Sequence, residues 1–240
     1  MKFKHAALPY MIWSAIFVLI PLGLVAVFAF TTSDGAFTID NIARVSSYTP
    51  VFMRSVWLAV VATAICLVTG YPLAYLMSRM NGVRQRTMVM LIMLPMWINF
   101  LLRTYAWMTL LENNGVINSV LRFFGLGAVR MINTQGAVVL GMVYNYLPFM
   151  ILPLYSIMTK IDSRVIEAAQ DLGAGPFHVF SRVILPLSVP GISTGVTMVF
   201  VPAISTFIIS RMLGGGSNML IGDLIDAQFL GNAYNPNLGA

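Results

Sequence analysis

Five apolar runs dominate this chain, over about residues 8–30, 55–77, 88–111, 136–158 and 183–209. A helix needs about 20 mainly apolar residues to cross a bilayer, and each run has that length. Hydrophobic residues make up 58% of the sequence and charged residues 9%, against about 45–50% and 25% in soluble domains. Mean hydropathy is +0.84. So little charge excludes a water-soluble surface, and so much apolar area excludes a disordered chain. The expectation is an all-α membrane protein, a polytopic helical bundle forming a single transmembrane domain over residues 1–240. Lys2, Lys4 and His5 precede the first run as in a signal peptide. The run exceeds the roughly 7–15 residues of a signal core, and no small-x-small cleavage site ends it, so it reads as a retained span.

The net charge of +6 comes from scattered Lys and Arg with no basic stripe, which argues against nucleic acid. These residues read as topology markers. With the N-terminus inside, the inner segments hold Lys2, Lys4, Arg79, Arg84, Arg86, Lys160, Arg164 and Arg182. The outer ones hold Arg44, Arg54, Arg122, Arg130 and Arg211, and Arg103 stays within a span. That bias predicts a cytoplasmic N-terminus. Five spans then put the C-terminus outside. The tail from Met212 is too polar for a sixth span, although Met219 to Leu230 suits a short helix, and a sixth span is expected beyond Ala240. After Asn113-Asn114-Gly115, the residues Val116, Ile117, Val120, Leu121 and Phe124 recur at helical spacing, predicting an amphipathic helix on the outer interface. The lone cysteine, Cys66, reads as a small buried hydrophobe.

The inner segment between the fourth and fifth runs, 161–182, is the most informative. Asp162 or Ser163 suits a helix cap. Val165, Ala168, Ala169 and Leu172 fall on one apolar stripe, with Glu167 and Asp171 together on another face. Gly173 and Gly175 end the helix and Pro176 starts the next, predicting two short helices at a sharp corner. A small apolar face beside two acids suits a protein partner, since anionic lipid would repel it.

Here the chain resembles the permease subunits of bacterial ATP-binding-cassette importers. Their pattern is Glu-Ala-Ala, three residues, Gly, nine residues, Ile-x-Leu-Pro. This sequence has Glu167-Ala168-Ala169, Gly173 and Val183-Ile184-Leu185-Pro186, departing only at Val183. The resemblance implies the type I importer fold, usually with six spans, and makes this segment the helix that couples to an ATPase. Glu167, Ala168, Ala169, Asp171, Gly173, Leu185 and Pro186 are the coupling residues it implies. The sequence holds no Gly-x-x-x-x-Gly-Lys-[Ser/Thr] loop. No cofactor is therefore expected on this non-catalytic chain, with ATP and Mg²⁺ on a separate ATPase. A second permease (a heterodimer), an ATPase dimer and a periplasmic solute-binding protein are the implied partners, in a bacterial inner membrane.

In the third run, Asn99 and Arg103 share a face, Tyr105, Thr109 and Glu112 share another, and Trp97, Phe100, Thr104 and Trp107 form an aromatic stripe. The stretch Leu102 to Trp107, with Leu220 to Ile225 and Gln228-Phe229, looks like the B-type permease of spermidine/putrescine importers. A polyamine path should offer acids and aromatic faces. Tyr105, Thr109, Glu112, Asp223 and Asp226 are the candidates, and Arg103, which would repel a polycation, is expected to be structural. Iron, sulfate or opine importers share some of these motifs. A self-contained channel or proton-coupled carrier would want ionisable groups at mid-membrane, where only Arg103 comes close. An intramembrane enzyme would want paired acids or His clusters, whereas His5 and His178 both sit at the cytoplasmic edge.

Overall fold

The computed structural model describes residues 8–32, 34–216, 218–231 and 234–240. Lys2, Lys4 and His5 lie outside the described residues. Helix α1 is Leu8–Ala29, α2 is Asp40–Ser78, and α3 is Gly82–Trp97. Then follow α4 (Phe100–Leu111), α5 (Val116–Phe123), α6 (Gln135–Met158) and α7 (Ser163–Asp171). Last come α8 (Pro176–Ile204), α9 (Ile208–Gly214), α10 (Ile221–Leu230) and α11 (Pro236–Gly239). Among the described residues, α1, α2, α6 and α8 are each long and apolar enough to cross a membrane.

The third apolar run is not one straight helix. The chain through Gly82–Trp97 and on from Phe100 bends by 87°. Pro95 sits in a 3₁₀ turn over Leu94–Trp97, and Ile98 is extended at φ −80°, ψ 140°. Asn99 then restarts the chain as an N-cap, its Oδ1 accepting from Leu101 N at 2.8 Å. A missing proline N–H and an available cap make the break. Asn99 therefore belongs to a helix end and not to a span face. The expected aromatic stripe is split too. Trp97 is exposed before the break, while Trp107 lies edge-on to Tyr144 at 5.4 Å beyond it.

The chain divides into two compact units, Met1–Met53 with Gly222–Ala240, and Arg54–Ile221. In the first, Thr31 O accepts from Asn41 Nδ2 at 2.9 Å and from Asn237 Nδ2 at 2.7 Å, and α11 packs on the end of α1. Helix α10, where a short helix was expected, belongs to this unit.

In the second unit the core runs along α6, through Val138, Met142, Met150, Ile151, Leu154 and Met158. Small residues let its neighbours approach. Ala59, Ala62, Cys66, Gly70 and Ala74 form a buried row on α2, and a Cβ on Gly70 would stand 3.3 Å from Ile151 and Met150. On α8, Gly191 and Gly195 sit against Ile157, Pro153 O and Met150, where a Cβ on Gly195 would lie 2.7 Å from Met150 Sδ. Apolar lipid gives helices little hydrophobic drive to associate, so close backbone approach carries the packing. The spacing Gly191-x-x-x-Gly195 was the readable sign of this seam. Cys66 is fully buried.

Candidate functional site

Helix α7 and the turn after it are fixed by caps at both ends. Asp162 caps the helix, its Oδ1 accepting from Arg164 N at 3.0 Å. Arg79, at the end of α2, donates to Ile161 O at 3.4 Å and so ties down the approach to α7. At the other end Gly173 adopts φ +81°. Gly173 N donates to Gln170 O at 2.8 Å, and Ala174 N to Ala169 O at 3.0 Å. This is the Schellman pattern, in which one left-handed residue lets two N–H groups close back on the last helical carbonyls. A side chain at Gly173 would meet nothing within 4 Å, so its requirement is conformational and not steric. Gly175, by contrast, has an ordinary extended backbone and caps the next helix, with Pro176 in its first turn.

Of the expected apolar stripe only Ala169 is half-buried, whereas Val165, Ala168 and Leu172 are exposed; Ile166, outside that stripe, is half-buried instead. Leu172 is 89% exposed and Phe177, beyond the corner, 77%. Glu167 and Asp171 are exposed beside them, as is His178. The outward face is thus a low apolar ridge flanked by two carboxylates. Leu172, just past the capped helix α7, and Phe177, in the first turn of α8, are large apolar side chains left exposed on either side of the corner.

The second expected short helix is the start of α8. Its first turn, Pro176–Val179, widens into a π stretch over Phe180–Ile184 and runs on into the span from Leu185. Leu185 N closes the wide turn by donating to Phe180 O. Pro186 explains the bulge. Its ring has no N–H for an i−4 carbonyl and crowds that carbonyl, and widening the turn by one residue relieves both. Leu185 and Pro186 therefore shape the stem that carries the corner.

The five candidate path residues fall in two groups. In α4, Tyr105 is 55% exposed and Thr109 exposed, its Oγ1 donating to Tyr105 O at 3.1 Å. Glu112 caps the C-terminus of α4 with its side chain exposed. Its carbonyl accepts from Asn118 Nδ2 at 3.1 Å and from Gly115 N at 2.8 Å. Asn118 is buried and also exchanges hydrogen bonds with Val129 N and O, pinning α5 with Phe123 and Val120 outward and Ile117 and Leu121 half-buried. Asp223 and Asp226 lie on α10 in the other unit, where Asp223 is only 4% exposed and Asp226 half-buried. Arg103 Nε and Nη1 are buried, and its guanidinium lies 5.9 Å from the Phe100 ring centroid. Among the described residues no cluster of His, Cys, Asp and Glu could hold a metal ion.

Several helices long and apolar enough to cross a bilayer, with a short capped helix exposed between two of them, make a polytopic membrane protein. The chain belongs to the family described as binding-protein-dependent transport system inner membrane component, whose model matches residues 38–236. The spermidine/putrescine transport system permease protein PotB of Haemophilus influenzae is 41% identical over 91% of this chain and 80% of that protein. PotB of Escherichia coli K12 is 38% identical, over 91% of this chain and 83% of its own length. A crystal structure of a bacterial ABC transporter involved in the import of the acidic polysaccharide alginate shares the fold. Its TM-score is 0.76 at 19% identity, over 98% of this chain and 86% of that one.

Proposed function

We propose that this chain is the membrane permease subunit of an ATP-driven polyamine importer, passing spermidine or putrescine from a periplasmic binding protein to the cytoplasm. The observation that carries the cargo is its 41% and 38% identity, over nine-tenths of its length, to two spermidine/putrescine permeases. The alginate transporter shows that the fold alone is silent on cargo, since an acidic polysaccharide and a polycation are opposite in charge.

In this reading α7 lies on the cytoplasmic side and fits a groove of a separate ATPase, which alone binds ATP and Mg²⁺. Leu172, Val165 and Phe177 supply apolar contact, and Glu167 and Asp171 meet basic or hydrogen-bonding groups. The chain works beside a second, different permease. Tyr105, Thr109, Glu112 and Asp226 guide a cationic cargo from the outer side. Asp223, being buried, contributes field and not a contact in this conformation.

The test is reconstitution of the full complex in proteoliposomes with ATP on the ATPase side. Radiolabelled spermidine should accumulate only with binding protein and ATP, and unlabelled putrescine should compete where sulfate and ferric ion do not. Accumulation of sulfate or iron in place of spermidine would replace the cargo while keeping the importer.

A further inference from the structure

The widened turn at the foot of α8 is gripped from the side by one residue of α2. Tyr71 is buried, and its hydroxyl lies 2.9 Å from Ser188 Oγ. Ser188 is fully buried and donates its own proton to Leu185 O at 2.9 Å. The serine has one proton, so in the bond to Tyr71 it accepts. The chain therefore runs Tyr71 O–H to Ser188 O–H to the Leu185 carbonyl. The Tyr71 ring also meets Phe180 edge-on, at 5.7 Å between centroids and 81° between planes. Phe180 opens the π stretch, Leu185 closes it, and Ser188 lies just beyond. One side chain thus touches both flanks of the bulge.

That grip is specific to register. If the wide turn relaxed to an ordinary α turn, everything beyond it would rotate by about 100° relative to Phe180. Tyr71 could then hold Phe180 or Ser188, but not both. Losing Ser188 would leave a buried tyrosine hydroxyl without its partner in apolar surroundings. The bulge lies within α8, between the corner at Gly173–Pro176 and the apolar span beyond Leu185, so the covalent route from α7 into that span runs through it.

We infer that Tyr71 is a positioning residue for energy coupling: by locking the register of the π turn through Ser188 and Phe180, it makes the stem of α8 stiff, so that displacement of α7 moves the span and is not absorbed by the bulge. The inference rests on the reading that α7 docks on an ATPase. Tyr71→Phe keeps the ring contact with Phe180 and removes only the hydrogen bond to Ser188, whereas Ser188→Ala removes that bond from the other side together with the one to Leu185 O.

The experiment compares wild type, Tyr71→Phe, Ser188→Ala and the double variant in the complete complex, reconstituted with its ATPase and spermidine-loaded binding protein. Three quantities are read: ATPase retained on the permease, hydrolysis without binding protein, and spermidine transported per ATP hydrolysed. Retention and basal hydrolysis should match wild type in every variant. Transport per ATP should fall several-fold in each single variant, and more in Ser188→Ala, which leaves the buried Tyr71 hydroxyl without its partner. The double variant should be no worse than Ser188→Ala alone, because Tyr71→Phe removes only a bond that Ser188→Ala has already removed. Transport per ATP within about twofold of wild type, additive losses in the double variant, or loss of assembly in Tyr71→Phe would each overturn the inference. Gly173→Asp in the same preparation separates the two readings. If it keeps the ATPase and transports, the docking role of α7 fails. If it loses the ATPase while Tyr71→Phe couples normally, only the role of Tyr71 fails.

Discussion

The N–H of Ala174 donates to the carbonyl of Ala169 at 3.0 Å, so the chain leaves α7 by folding back over its last turn. That return leaves Leu172 between them, 89% exposed and without a packing role in its own unit. Fully burying a leucine stabilises a contact by about 1.5–3 kcal/mol. Leu172→Asp should therefore weaken ATPase association by about tenfold or more while leaving permease abundance unchanged. Titrating ATPase onto immobilised permease in detergent measures both.

The seam between α6 and α8 predicts a different failure. A side chain at Gly195 would meet Met150 Sδ at 2.7 Å and the Met150 carbonyl at 3.2 Å, and the carbonyl belongs to a helix that cannot easily move. Gly195→Val should cost about 1–3 kcal/mol by overpacking. Lower membrane abundance and a lower unfolding temperature in detergent are expected. Gly136→Ala, whose Cβ would find only Thr134 Oγ1 at 3.7 Å, should behave as wild type.

Orientation is checked by cysteine labelling. Ser163 and Ser119 are exposed, whereas Ser78 is buried with its hydroxyl bonded to Tyr75 O at 2.7 Å and is unsuited to labelling. In a Cys66→Ala background, a membrane-impermeant thiol reagent on intact cells should label Ser119→Cys and leave Ser163→Cys unlabelled. The reverse pattern would invert the topology.

Glu112 is the one candidate acid of the cargo path that lies in the second unit, and it is exposed. Its backbone holds the α4–α5 turn and its carboxylate does not, so Glu112→Gln should preserve the fold. Spermidine uptake should require a several-fold higher external concentration, with maximal rate and ATPase association unchanged. Uptake identical to wild type across the concentration range would remove Glu112 from the path.

Much of this architecture was written locally. The apolar run at 136–158 coincides with α6, and that at 8–30 with α1, because hydropathy is a property of the segment itself. The capping of α7 by Asp162 and its end at Gly173 were likewise legible, since caps and left-handed turns demand particular residues within a few positions. The break at Ile98–Asn99 was obscured because composition stays apolar across it, although Pro95 marked the place. That Ile166 and Ala169 are half-buried while Val165, Ala168 and Leu172 of the expected stripe are exposed depends on what α7 rests upon, which sequence periodicity does not contain. The same holds for Tyr71 and Ser188, 117 residues apart and joined only by the fold.

If α7 is the point where a separate ATPase grips this permease, Gly173 is the residue whose substitution tests it most directly. Its φ of +81° disfavours any side chain, and a Cβ there would meet nothing within 4 Å, so Gly173→Asp places a strained, charged residue at the end of α7 without a clash. The measurement is the amount of ATPase that co-purifies with equal quantities of wild-type and Gly173→Asp permease, alongside spermidine uptake. The account predicts near-normal permease abundance, little retained ATPase and no uptake for the variant. Full ATPase retention with normal uptake would contradict it.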